Sequence, residues 1–183
     1  MAKAGQRLGF NFQLGEWGAK KGGKTEIVLQ TGIDAPSARC FDLARSIDFH
    51  LQSACSTQEQ AIGGVTSGLI GEGEEVEWRA RHFGLWLKMR VRITAFKPPG
   101  YFQDSMIEGP FSLFTHDHIF QTAGPATLMT DRIIFRAPIP LLGRLFDRLI
   151  LGHLRHFIRD RNAQLKAAAE SNAWQRYLQA QDL

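Results

Sequence analysis

The sequence predicts an α+β fold in which a curved antiparallel sheet of six to seven strands wraps around a long C-terminal helix. Two observations carry this prediction. From Ala61 to Ala137, apolar and polar residues alternate with a period of two, interrupted by short breaks that contain Gly or Pro. From Pro140 to about Glu170, apolar residues recur with helical spacing instead. Because short turns join antiparallel neighbours, this order indicates one helix laid on one face of a sheet.

The elements before this run also follow from local patterns. Residues 1–24 are rich in Gly and Lys and keep no hydrophobic period, so we expect a loosely attached basic arm. The alternation in Thr25–Asp34 predicts the first strand. Pro36 follows Asp34, a helix-start signal, and predicts a short amphipathic helix. A second short helix is expected from about Ser46 towards Cys55.

The later strands are bounded by turn residues, and the chain as a whole predicts one domain. The strands are expected at Ala61–Ile70, Glu75–Phe83, Leu85–Phe96, Tyr101–Glu108, Leu113–Thr122 and Thr127–Arg136. The domain is expected over residues 25–170, followed by a C-terminal tail, 171–183, with helical potential.

Turn lengths assign the strand faces, because a two-residue turn determines which residues lie opposite each other. With Phe83–Gly84 as a turn, Trp78 faces Met89 and His82 faces Leu85. Continuing this register gathers large side chains on one covered face, to which the last helix adds two. The residues expected to bind a ligand are Trp78, His82, Met89, Phe102, Met106, Phe114, Phe120, Met129, Ile133, Phe135, Phe146 and Ile150.

The same face carries ionisable residues, among them Asp104, Glu108, His116, His118 and Asp131. The register places Asp104 beside His118, and His116 beside Asp131. Buried charge is costly unless it is paired, so the cluster is either a structural hydrogen-bonded network or a polar floor for ligand orientation or proton transfer. The four candidates for acid–base catalysis are His116, His118, Asp131 and Asp104.

The sequence gives little evidence for a metal site or a cofactor site. His116 and His118 project two imidazoles from one strand face, but the sequence gives them no third ligand at a defined spacing, so we expect no metal. No glycine-rich dinucleotide fingerprint follows a strand, and we expect no cofactor.

The charge and composition of the chain limit the kinds of partner that we expect. The formal net charge is +4, with positive charge concentrated in residues 1–24 and 144–166 on a mildly acidic body. No nucleic-acid motif accompanies these segments, and no apolar run approaches the ~20 residues of a membrane span, so we expect neither a nucleic-acid partner nor stable membrane insertion. Two cysteines without a metal or disulfide pattern, and no signal-peptide core, predict a cytoplasmic protein.

Several stretches resemble the SRPBCC superfamily of START-like, helix-grip proteins, and most closely its bacterial ligand-binding or polyketide cyclase/dehydrase-like branch. The resemblance covers roughly residues 25–170. The matching stretches are Gly71–Trp78, Arg81–Gly84, Gly109–Phe111, His116–Phe120, Thr127–Arg132 and Arg136–Pro138 leading into Leu142–Arg144. The resemblance implies a deep cavity between sheet and helix, which the superfamily uses for lipids, sterols, polyketides and plant hormones.

Three functions follow as expectations. The first is binding of a small hydrophobic ligand, lipid-, sterol- or polyketide-like, and we expect this rather than catalysis. The alternative is a cyclase- or dehydratase-type enzyme that uses a pocket His–Asp pair as general acid and base. A second alternative, implied by the labels of some relatives, is a cell-division-related regulatory or interaction module. It needs an exposed apolar patch, for which the tail offers Trp174, Tyr177 and Leu178.

Overall fold

The computed structural model describes residues 20–21, 23–137 and 143–178, and side chains are described from Gly23 to Ala137 and from Leu149 to Leu178. The strands are β1 (Lys20–Lys21), β2 (Lys24–Ile33), β3 (Gln60–Gly64), β4 (Glu75–His82), β5 (Leu85–Lys97), β6 (Tyr101–Glu108), β7 (Leu113–Ala123) and β8 (Ala126–Arg136). The helices are α1 (Ser37–Ala44), α2 (Ile47–Ser53), α3 (Gly143–Ala169) and α4 (Gln175–Leu178), and a 3-10 turn covers Cys55–Thr57.

The strands form one antiparallel sheet in the order β1-β2-β8-β7-β6-β5-β4-β3. Consecutive strands from β3 to β8 are neighbours, and short turns join them from β4 onwards. On the other side of β8 lies β2, which pairs with it. α1 and α2 lie between β2 and β3 in the chain, and α3 follows the sheet. The predicted α+β helix-grip architecture is therefore confirmed, with seven long strands and the two-residue β1.

The covered face of the sheet is not packed equally along its width. α3 packs against β2, and α1 packs against β7 and β8. Side chains on this half are almost fully buried, with Ile133 at 0% and Met129 at 1% exposure. The other half, β4 to β6, faces the cavity described below.

The β4–β5 hairpin has the predicted register, with Trp78 opposite Met89 and His82 opposite Leu85. Phe83 and Gly84 both have positive φ, at 52° and 80°. This is the backbone of a two-residue turn whose twist matches that of the flanking strands. Glycine adopts such a φ freely, whereas Phe83 does so at a conformational cost.

The next two hairpins differ from prediction by two residues. Asp104 lies opposite His116 rather than His118, and His118 lies opposite Asp131. The loop between β6 and β7 is longer than the predicted three-residue turn, and the β7–β8 turn is centred one residue later than predicted. Because side chains alternate with a period of two, a shift of two residues keeps every side chain on its predicted face.

Two strand predictions were wrong. The strand expected over Ala61–Ile70 ends at Gly64, whose φ is 70°, and a Cβ there would lie 2.1 Å from the carbonyl oxygen of Glu75. Glu108 does not share the covered face. The pairing shifts between Val91–Met106 and Arg90–Glu108, and this bulge turns Glu108 to the exposed side.

The long helix covers the predicted segment, although Pro140–Leu142 lie outside the described residues. Its face assignment was partly wrong. Leu149, expected on the apolar side, is 55% exposed. Arg161, which the prediction assigned to neither face, is 7% exposed. No helix in the described part of the chain is long and apolar enough to cross a membrane.

Both ends of the described part of the chain contact the rest of the domain. Residues 1–19 of the expected arm lie outside the described residues, but Lys20–Lys21 pair with the start of β2. In the tail, Trp174, Tyr177 and Leu178 are partly buried against the core. The rings of Tyr177 and Phe49 meet edge to face at 5.2 Å. These three residues therefore cover their own domain and do not form the exposed apolar patch that an interaction module needs.

Candidate functional site

A cavity of about 400 Å³ lies between the β4–β6 half of the sheet, β7, α2 and α3. Its wall is mainly apolar. Six residues of the predicted binding set line it: Trp78, His82, Met89, Phe102, Phe114 and Ile150. Three of the four acid–base candidates, Asp104, His116 and His118, line it as well, and Asp131 lies behind them.

The rest of the predicted binding set lies elsewhere. Met106, Phe120, Met129, Ile133 and Phe135 pack in the hydrophobic core and are not among the residues that line the cavity. For Met129, Ile133 and Phe135 the reason is the unequal cover of the sheet, since no described residue of β8 reaches the cavity wall. The side chain of Phe146 lies outside the described residues. Contact of any of these residues with a ligand stays a prediction.

The polar floor of the cavity, defined as Asp104, His116, His118 and Asp131, comes from three neighbouring strands. Alternation in β7 puts both imidazoles on one face, with ring centroids 3.7 Å apart. Nε2 of His116 donates to Oδ1 of Asp131 at 2.8 Å, and Nε2 of His118 donates to Oδ2 of Asp104 at 3.1 Å. These are the two side-chain pairs that the sequence predicted. They form between diagonal neighbours, which lie within reach across strands.

Further contacts hold the floor in place. Nδ1 of His118 lies 3.1 Å from Oδ1 of Asp131, so this carboxylate bridges both imidazoles. Its other oxygen accepts a hydrogen bond from Nδ2 of Asn162, on α3, at 2.7 Å. The ring of Phe102 stacks on His118 with centroids 4.2 Å apart. His116, His118 and Asp131 are each no more than 3% exposed, so every contact acts in a weakly screened environment.

Burial and hydrogen bonding shift the pKa values of the polar floor in opposite directions, because burial favours the neutral form of each group and the hydrogen bonds favour the charged form. Burial alone would raise the pKa of Asp131, but hydrogen bonds from His116 and His118 outweigh it and hold the pKa well below its ordinary value. Asp104 follows the same balance, with a lowered pKa that the hydrogen bond from His118 sustains against burial. Burial lowers the pKa of His116, whereas the two carboxylates raise the pKa of His118 despite its burial.

A second polar group, which the sequence analysis did not identify, lines the same cavity. His50 of α2 stacks on Trp78 with centroids 4.1 Å apart, and its Nε2 lies 3.1 Å from Oε2 of Glu59. Arg161 of α3 donates from Nη2 to the carbonyl oxygen of Ala44 at 3.1 Å, while its buried Nε has no hydrogen-bond partner in the described part of the chain. Burial lowers the pKa of His50, and the charge of Arg161 adds to that effect.

The wall also joins the β4–β5 turn to α3. Nδ1 of His82 and Nε2 of His153 share a hydrogen bond of 2.8 Å, and the ring of Phe83 lies 4.6 Å from that of His153. Phe83 and Leu85 line the cavity although they are 58% and 66% exposed, so this edge of the wall faces solvent. Burial lowers the pKa of both His82 and His153.

The residues that sequence reasoning missed share an origin. His50, His153, Arg161 and Asn162 lie on helices, and Glu59 lies in a loop. His153, Arg161 and Asn162 carried a usable signal, because each follows an apolar residue of α3 by three or four positions, Ile150 for His153 and Ile158 for the other two, as on a buried helical stripe.

Comparisons with known proteins identify the fold. No protein-family model matches the sequence, and no curated protein matches it. Among solved structures, TTHA0849 from Thermus thermophilus is similar with a TM-score of 0.63 and 16% identity, over 79% of this chain and 99% of that one. A START superfamily protein from Mycobacterium smegmatis is similar with a TM-score of 0.60 and 9% identity, over 78% and 97%. The chain has the START-like helix-grip fold.

The ginseng major latex-like protein 151 from Panax ginseng shares this START-like fold, with a TM-score of 0.61 and 16% identity, over 82% of this chain and 100% of that one. The matches cover nearly the whole of each of these three proteins. Sequence identities this low establish the fold, whereas the function depends on the site itself.

Proposed function

We propose that this protein binds a small, mainly apolar molecule that carries a polar group at one end. The observation that carries the proposal is the cavity of about 400 Å³, a size typical of small-molecule sites, with an apolar wall and a polar floor. Such a site gains affinity from the apolar area it buries, and its few polar groups orient the ligand. The START-like fold supports the same proposal, because the superfamily places ligands between sheet and helix.

The polar end of the ligand is expected beside Arg161 and the polar floor. A guanidinium has five N–H donors, and in the described part of the chain that of Arg161 donates one observed hydrogen bond and keeps a buried Nε unpaired. Unpaired buried donors cost free energy, which an acceptor on a ligand recovers. We therefore expect a carbonyl, hydroxyl or carboxylate group on the ligand.

The direct test is native mass spectrometry of the purified protein, followed by extraction and identification of what it carries. A cavity-filling variant makes the result specific to this site. Ala80 lies on β4 and lines the cavity, so Ala80→Phe is expected to displace the ligand and to lower the affinity for an apolar fluorescent probe at least about tenfold.

Arg81→Phe is the matched control, because its side chain lies on the opposite, exposed face of the same strand. It is expected to bind the probe as the wild type does. Equal probe affinity in wild type, Ala80→Phe and Arg81→Phe would show that the cavity is not the binding site.

A second candidate function is acid–base catalysis on the bound molecule, which the position of His116 favours. It lines the cavity, and its hydrogen bond from Nε2 to Asp131 leaves Nδ1 as the basic nitrogen. A base held by a carboxylate in this way can abstract a proton next to a carbonyl group. Deuterium exchange into a medium-chain ketone, followed by NMR in D₂O, tests this. Exchange no faster than in buffer, or equally fast in His116→Gln, would exclude the role of His116.

A further inference from the structure

We propose that Asp104, His116 and His118 form a site for one divalent transition-metal ion of the Zn²⁺ or Fe²⁺ class, at the polar end of the cavity. One donor atom from each of these residues lies within 4.8 Å of the other two. All three residues line the cavity. The sequence analysis expected no metal because the two imidazoles lacked a third ligand, and β6 supplies it as Asp104, directly opposite His116.

The distances suit a small ion after slight adjustment. Oδ2 of Asp104 lies 3.1 Å from Nε2 of His118 and 3.9 Å from Nδ1 of His116. Two ligands of a tetrahedral Zn²⁺, each at about 2.0–2.1 Å, are roughly 3.3 Å apart. The observed distances lie on both sides of that value. Three protein ligands on a wall also leave the remaining coordination position open to the cavity, as in catalytic rather than structural metal sites.

The second nitrogen of each imidazole supports the assignment independently. Nε2 of His116 lies 2.8 Å from Oδ1 of Asp131, and Nδ1 of His118 lies 3.1 Å from the same oxygen. When both donate to this carboxylate, and the metal displaces the proton that Nε2 of His118 shares with Asp104, the two remaining nitrogens present lone pairs on the side of Asp104. Metal-binding histidines are held in this way by an outer carboxylate, which is itself hydrogen-bonded, here by Asn162.

The chemistry of the three donor groups indicates the class of metal. A site of two imidazoles and one carboxylate selects a transition metal over Ca²⁺ or Mg²⁺, which take oxygen ligands.

The metal extends the proposed function without depending on it. A bound ion with an open position would coordinate the polar end of a ligand and act as a Lewis acid on it. In that state, His116 and His118 are ligands, so neither serves as a general base. The metal site and the acid–base role of His116 are thus alternatives for the same nitrogen.

Calorimetric titration of the untagged, chelator-treated and dialysed protein with Zn²⁺ tests the site, together with the visible spectrum after addition of Co²⁺. We expect one ion per chain and a spectrum of bound rather than aqueous Co²⁺. Asp104→Asn removes a ligand and is expected to abolish stoichiometric binding. Asp131→Asn removes the outer carboxylate and is expected to weaken binding about 10- to 100-fold. His156→Ala is the control, because His156 is an exposed histidine on α3.

Binding that is absent from the wild type, or equal in wild type and Asp104→Asn, overturns the proposal. Circular dichroism shows whether the variants fold, and if Asp104→Asn does not, Asp131→Asn and the wild-type Co²⁺ spectrum decide the question. Titration of the apolar probe with and without Zn²⁺ separates the two proposals. Probe binding without metal binding refutes only the metal site, and metal binding without probe binding refutes only the proposed function.

Discussion

Replacing Asp131 with Ala is expected to be among the most destabilising single changes in the polar floor. Its carboxylate is 2% exposed and is held by three nitrogen atoms, of His116, His118 and Asn162. Each buried donor left without an acceptor costs about 1–3 kcal/mol. Loss of one partner from a buried charged cluster costs about 3–5 kcal/mol in all. This is a large share of the roughly 5–15 kcal/mol that stabilises a typical domain.

The assay is urea denaturation of wild type and Asp131→Ala in the presence of a chelator, with thermal melts in parallel. For a domain of this size, the expected loss lowers the melting temperature by roughly 6–20 °C. Asp160→Ala is the control, because the side chain of Asp160 is 48% exposed and pairs only with His156 in the described part of the chain. Its effect is expected to stay within about 0.5 kcal/mol. Equal losses for the two variants would refute the view that the polar floor is a coupled, buried network.

Three further changes test other parts of the structure. The lowered pKa values of His82 and His153 mean that the folded state disfavours their protonation, so stability should fall as pH drops below about 6.5. His153→Gln should flatten that fall between about pH 7.5 and 5.5 in urea titrations; an unchanged slope would contradict it. Phe83→Asn should not lower the melting temperature, because Asn suits a positive φ, yet it should weaken apolar-probe binding. Trp174→Ala should cost about 1–3 kcal/mol in urea denaturation, because Trp174 packs on the core and under Arg39; a cost near zero would show that the tail is not part of the fold.

The faces of the strands were predictable because side chains alternate between the two faces of a sheet with a period of two residues. The register of the last two hairpins was wrong by two residues each, yet Asp104, His116, His118 and Asp131 were all placed on the correct face. The two predicted side-chain pairs, His116 with Asp131 and His118 with Asp104, also form, because the side chains of diagonal neighbours still reach each other across strands. Glu108 shows the limit of this tolerance. One extra residue in β6 moves the side chain of Glu108 to the other face of the sheet. No Gly, Pro or turn motif in the sequence predicts that bulge.

The extent of the cavity was not predictable from the sheet pattern alone. Alternation identifies the residues that avoid solvent, but it does not distinguish a side chain under a helix from one beside an open space. Ile133 and Trp78 each occupy an inward-facing position in a strand of alternating polar and apolar residues. The first is packed in the core and the second lines the cavity. Which half of the sheet stays uncovered depends on where α1 and α3 lie, and this is a property of tertiary packing.

Three of the residues that sequence reasoning missed, His153, Arg161 and Asn162, lie on the long helix α3. α3 has 27 residues, and its partners change along its length. Near its start, Ile150 and His153 line the cavity, whereas near its end Leu165 is packed in the core with α1 and α2. A single apolar stripe drawn at 100° per residue averages over these two environments, so it places Leu149 on the buried side although Leu149 is 55% exposed. A buried cation on the cavity wall has to be offset by nearby anions, and Glu59 and Asp104 line the same wall. The polar end of the site is therefore built from strands that the sequence pattern identifies and from helix residues that only packing brings into place.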